Sequence, residues 1–165
     1  MSNSAIDRQY ENRAIYVVLF LRGAQPGFHW GIFVPNMSPN GHLWHASNRS
    51  GGWQLVEEER RVPESFSLCL AFKIGTAGDW NRFCATLRSI PADGTPSRRT
   101  GEAFDCVTWA KDALHALHKA RFIVLTKSLE EIETWAVKNA EAHRAEVEAG
   151  LSSAQVDNKL RFSAA

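Results

Sequence analysis

The sequence has no Cys-x-x-Cys pair, and its three cysteines, Cys69, Cys84 and Cys106, stand at irregular intervals. An odd, irregular set excludes a disulfide framework and a zinc knuckle as the device that organises the chain. Net charge is also nearly missing. Nineteen basic and 18 acidic residues leave a formal +1, so no overall field draws nucleic acid or anionic lipid. Long apolar runs are lacking: Ala14 to Leu21 falls far below the roughly 18 residues that span a bilayer. The polar start MSNSAIDRQYENR contains no signal-peptide core. Low-complexity tracts and internal repeats are absent too. From these absences a soluble, cytoplasmic chain in a reducing compartment, with no membrane anchor, is expected.

What is present is a globular composition, 44% hydrophobic and 22% charged, in 165 residues. That length suits one domain over 1–165, burying about two-thirds of its unfolded surface. The ends, 1–13 and 152–165, are polar and expected to be flexible. Six Trp and nine Phe predict an aromatic core, with some rings available to line a groove. The basic groups Arg60-Arg61, Arg98-Arg99 and His118-Lys119-Ala120-Arg121 read as solvated surface.

Patterning divides the chain into a β-rich front and a helical back. Ile15–Leu21 is β-branched and aromatic, a buried strand. His29–Pro35 alternates, with His29, Gly31 and Phe33 on one face and Trp30, Ile32 and Val34 on the other. After NMSPNG, a turn signal, come His42–Ser47, Trp53–Val62 and Phe66–Ile74. Short connections predict an antiparallel meander of about five strands. From Asp79 the period becomes helical. Asp79 caps a helix ended by Pro91, and Phe104–Ala120 carries apolar residues at i, i+3, i+4 and i+7. FIVL reads as a short strand or an extended linker. Ser128 with Glu131 forms a capping-box signature before a helix reaching about Ala149. The fold class is α+β, one sheet against about three helices.

Cys106 is the chemically informative cysteine. Asp105 is a good N-cap, so Cys106 enters the first turn of a helix, where unpaired N–H groups and the dipole favour a thiolate. A lowered pKa is expected there, and first-turn amides can serve an oxyanion. Cys69, within a strand, and Cys84, on an apolar helix face, read as small buried hydrophobes. Among six histidines, His29 begins a strand beside a turn and His45 shares parity with Leu43. Strand pairing would bring the two onto one face. A general base needs a partner to fix its tautomer; His45 suits that role, with Asn48 or an acid among Glu57, Glu58 and Glu59 as alternatives. His115, His118 and His143 read as surface or packing residues. A metal site from His29, His42 and His45 is the weaker use of the histidines, since no further ligand completes a set.

HWGIFV, then LWHAS, then a helix opening with FDC resembles the circularly permuted papain-like fold, and is similar to the lecithin:retinol acyltransferase and NlpC/P60-like superfamily. Its members carry histidine first, a polar residue on the next strand, and the nucleophilic cysteine last. The resemblance covers roughly Ile15 to Leu117. It implies Cys106 as nucleophile, His29 as general base and acid, and His45 as orienting third member, with no cofactor. The residues around the cysteine, Asp105-Cys106-Val107-Thr108-Trp109, differ from the Asn-Cys-Glu-His-Phe of the acyltransferases, which argues against phospholipid or retinyl ester substrates.

The expected function is cysteine-dependent acyl transfer from a small-molecule acyl donor or peptide, through a thioester on Cys106, to an amine, alcohol or water. Trp30, Trp44, Glu57, Asp105 and Trp109 are the expected substrate contacts. A narrower expectation rests on similarity in scale to small fungal arginine-containing cyclodipeptide synthases. There the donor would be aminoacyl-tRNA, and the Glu57-Glu58-Glu59 run would meet an arginine side chain. The non-enzymatic alternative is a degenerate member of the same fold whose Trp-rich groove binds a ligand or protein.

Overall fold

The computed structural model describes residues 9–164. Its frame is a six-stranded sheet in the order β4-β3-β2-β1-β5-β6. The strands are β1 (Ala14–Arg22), β2 (Gln25–Pro35), β3 (Gly41–Ser47), β4 (Gln54–Glu59), β5 (Leu68–Thr76) and β6 (Gln155–Asp157). The first four form the expected antiparallel meander. β5 instead returns to pair antiparallel with β1, and β6 adds parallel to β5. β1 therefore lies inside the sheet, and both of its faces are covered, with Ile15, Val17 and Leu19 in one apolar cluster and Tyr16, Val18 and Phe20 in another, which is why IYVVLFL is apolar on both faces.

Three helices cover one face. They are α1 (Trp80–Arg88), α2 (Cys106–Lys119) and α3 (Leu129–Glu148). Each starts where a capping side chain was expected. Asp79 accepts from Arg82 N at 3.1 Å, Asp105 from Thr108 N at 2.7 Å, and Ser128 from Glu131 N at 3.1 Å. In the last case Glu131 accepts from the Ser128 hydroxyl, which closes the first turn differently from a reciprocal capping box. The alternation read from β2 holds: Trp30, Ile32 and Val34 enter the large core beneath the helices. Phe33 joins Tyr16, Val18, Phe20 and Leu43 on the opposite face, under Tyr10 and Val62.

The ends differ from expectation where they are described. The part of that expectation concerning residues 1–8 and 165 lies outside the described residues. Tyr10 is buried and packs on Tyr16, with ring centroids 5.2 Å apart. The tail folds back over the sheet. Beyond β6, Phe162 is buried between Phe72 and Trp135, and Ala164 N donates to Val124 O at 2.8 Å. FIVL is thereby an extended segment stitched to the tail. A single aromatic ring, Phe162, supplies the anchoring area that the polar composition of this segment conceals; burying it stabilises by roughly 2 kcal/mol.

Candidate active site

The ladder between β2 and β3 runs from Pro35↔Gly41 to Ile32↔Trp44 and stops, whereas β3 stays paired with β4 as far as Ser47↔Gln54. Where β2 and β3 part, a cleft of about 560 Å³ opens, and the start of α2 closes one side of it. Its wall includes Cys106, His29 and His45, three residues drawn from α2, β2 and β3. Gly31 makes the approach of the strands feasible. A Cβ there would stand 3.0 Å from Leu43 Cδ1 and 3.4 Å from His45 Cβ, in the space that His45 borders.

Cys106 is 6% exposed, and its thiol donates weakly to Phe28 O at 3.9 Å, next to His29 in the chain. Burial raises its pKa above the ordinary thiol value; the main-chain amide of Trp30 opposes this, and Asp105 adds to it. The fall expected from the helix terminus is thus overridden by desolvation. Asp105 spends its carboxylate on Thr108 N, which leaves the N–H groups of Cys106 and Val107 without intrahelical partners. Asp105 also borders the cleft. Cys69, pushed up to about 11 by burial, and Cys84, also raised, are buried in the apolar core away from it.

The two histidines meet. His29 Nε2 lies 2.7 Å from His45 Nδ1, with the rings perpendicular. His45 Nε2 in turn is buried without a hydrogen-bond partner, and the Glu58 carboxylate stands 3.5 Å from it, at ion-pair distance. A carboxylate only accepts, so Glu58 favours the His45 tautomer that carries its proton on Nε2. Neutral His45 then accepts at Nδ1, His29 donates from Nε2, and His29 Nδ1 keeps a free lone pair. Burial holds His29 down to about 4, with His45 and then Arg49, Arg22 and Arg60 acting in the same direction. Burial also lowers His45, while Glu58 resists. At neutral pH the cleft therefore holds an uncharged base and an uncharged thiol.

Other expected contacts fall elsewhere. Trp30, Trp44 and Trp109 are 0–2% exposed core residues and do not border the cleft. Parity explains this for Trp30 and Trp44: each points to the helix-covered face while its neighbouring histidine points to the other. Trp109 sits one turn into α2, facing inward. Glu57 is held by Arg88 Nε at 2.8 Å and by Trp44 Nε1 at 2.9 Å, so it is not free to receive a substrate cation. His42 packs at a tilt against Trp80, ring centroids 4.9 Å apart, on the face of β3 opposite to His45, so the three histidines proposed as metal ligands do not converge. Arg61 pairs with Glu64, and Arg99 with Asp112.

Trp53, Arg22 and Arg49 border the cleft without having been assigned to a site in the sequence, and Arg60, which reads there as solvated surface, borders it too. Trp53 packs edge-on against Phe104 at 5.1 Å, bracing the residue that precedes Asp105. Glu58 was within reach of sequence reasoning, because a β3–β4 hairpin pairing Leu43 with Glu58 puts that acid diagonal to His45.

Among the described residues, no helix is long and apolar enough to cross a membrane. No curated protein and no solved structure matches the chain. A family model does match, over residues 15–124, a span containing every residue of the cleft named above. The chain belongs to that family, a family of unknown function (DUF6540).

Proposed function

We propose that the protein is a cysteine-dependent acyl-transfer enzyme of permuted papain-like design. The observation that carries this is the His29–His45 hydrogen bond, with the Glu58 carboxylate 3.5 Å from His45 Nε2, on the cleft that also holds Cys106. In the reaction, His29 Nδ1 takes the thiol proton as Sγ bonds to the acyl carbon and the carbonyl electrons move onto oxygen. The N–H groups of Cys106 and Val107 are suited to receive that oxyanion. Collapse breaks the bond to the leaving group, which receives the proton from His29 and leaves a thioester. An amine, alcohol or water then loses its proton to His29 and attacks the thioester. The thiolate departs and recovers that proton. The high thiol pKa and low imidazole pKa favour proton transfer concerted with attack over a preformed ion pair. Three unpaired, buried cysteines support a reducing, cytoplasmic setting.

The test is intact-mass spectrometry of the protein after incubation with cell extract. An acyl adduct is expected on the native chain and not on Cys106→Ala, and its mass identifies the donor class. An aminoacyl mass would point to aminoacyl-tRNA and to diketopiperazine synthesis. If His29→Ala formed and discharged the adduct at the native rate, the paired-site reading would be wrong. A binding module without catalysis predicts no adduct and a Cys106 no more reactive than Cys84.

A further inference from the structure

Around the cleft, charge is distributed unlike the chain as a whole. The protein is near neutral, yet the cleft wall carries three guanidinium groups and, among carboxylates, only Asp105, which caps α2. The arginines come from three places in the fold. Arg22 ends β1 at its turn into β2, Arg49 lies in the β3–β4 connection, and Arg60 follows β4. Their convergence is therefore tertiary. Arg60 is partly engaged, 3.5 Å from Glu58 and 5.5 Å above the Phe20 ring. Among the described residues, the guanidinium groups of Arg22 and Arg49 have no carboxylate within ion-pair distance, so at the cleft their charge is left uncompensated. All three cleft arginines lie close enough to act electrostatically on His29, and Arg22 acts on Cys106 as well.

We propose that Arg22, Arg49 and Arg60 form an oxyanion subsite beside Cys106, and that the acyl donor carries a carboxylate or phosphate close to its reacting carbonyl. This rests on the acyl-transfer reading and assigns its substrate class. Guanidinium forks match both anions with paired N–H donors. A partly enclosed cleft concentrates the field of unpaired cations on whatever enters it. A donor held by an anionic group would be fixed at one end while its carbonyl meets the thiol, which is the positioning that nucleophilic attack needs.

Two alkylating reagents of the same size test this. Iodoacetate and iodoacetamide each form a bond from Sγ to a methylene carbon and release iodide, the thiol proton leaving through His29 to solvent; only iodoacetate is an anion. The quantity read is the ratio of their rates at Cys106 against the same ratio for a small free thiol. The ratio cancels any change in thiol reactivity common to both reagents. The subsite predicts a ratio raised by roughly tenfold at low salt, the lower end of what a focusing cleft achieves. The double substitution Arg22→Gln, Arg49→Gln should lower it most of the way to the free-thiol value, leaving only the share of Arg60, and added salt should separately lower it. A native ratio equal to that of the free thiol, or one the double variant leaves unchanged, overturns the proposal. Failure of the acyl-transfer reading looks different: iodoacetamide itself would then label Cys106 no faster than in His29→Ala. Calorimetric titration with inorganic pyrophosphate and with succinate needs no reactive thiol. Binding of the first alone assigns phosphate, and of the second alone carboxylate. Binding of either, lost in the double variant, supports the subsite, and binding of neither overturns it whatever the labelling shows.

Discussion

His29 Nε2 and His45 Nδ1 are 2.7 Å apart, and this contact decides which nitrogen of His29 is free. A hydrogen bond at Nε2 leaves Nδ1 as the available base. The acceptor-only carboxylate of Glu58, behind His45, selects the same tautomer for the pair. Each element of the proposed chemistry can be disturbed separately.

Replacing Glu58 with Gln removes the group that fixes the tautomer while keeping its shape. Alkylation of Cys106 at neutral pH should slow by roughly tenfold or more, as happens when a base loses its orienting acid. Glu58→Asp should recover part of the loss. Long-range ¹⁵N–¹H NMR should find the His45 proton on Nε2 in the native chain and divided between the nitrogens in Glu58→Gln. A native spectrum with that proton on Nδ1 would refute the relay.

The pH profile of Cys106 alkylation should be unusual on its acid side. His29 titrates at about 4 instead of the ordinary 6.5, so base assistance should persist below pH 6 and fail only near pH 4. With the thiol pKa raised, His29→Ala should leave a profile that climbs only in the alkaline range, slower at pH 7 by roughly 100-fold. Cys69 and Cys84 should remain slow throughout.

Stability should weaken in acid through the same histidines. Between pH 6.5 and about 4 the unfolded His29 binds a proton that the folded one refuses, so folding is favoured above this window and that contribution is lost across it as pH falls. The loss from His29 is at most ~3 kcal/mol by linkage. Urea midpoints measured from pH 7 to pH 4 should fall less steeply in His29→Gln. Some slope should survive, because burial also depresses His45. An equal slope in both proteins would contradict the shift.

The docked tail should be structural. Phe162→Ala removes a ring packed on Phe72 and Trp135, and should destabilise by about 3 kcal/mol, measured by denaturant unfolding. A loss below about 0.5 kcal/mol, the range of ordinary surface changes, would mean that the tail does not contribute.

At position 31 a larger residue should damage the site more than the fold. Gly31→Val places methyls against Leu43 and His45, and crowding of this kind destabilises by roughly 1–3 kcal/mol. The variant should fold with a displaced His45 and lose His29-dependent labelling of Cys106. Native labelling would show that the His29–His45 contact tolerates the added volume.

Periodicity and capping chemistry are local, so most of the architecture is legible in the sequence. The alternation of HWGIFVP, the aromatic density of IYVVLFL and the caps Asp79, Asp105 and Ser128 set element type and facing. The same local reading identified Cys106, His29 and His45. Strand order is not local. β5 returns to β1 and the tail adds β6, because pairing partners are chosen by burial across the whole sheet. The tryptophans show the limit most plainly: Trp30, Trp44 and Trp109 stand close in sequence to His29, His45 and Cys106, yet pleat and helix phase turn all three into the core. The direction of the Cys106 shift likewise depended on burial, which no helix-terminus argument supplies. The meeting of Arg22, Arg49 and Arg60 also depended on the fold, since residues from separate turns acquire a common cleft only when β2 parts from β3.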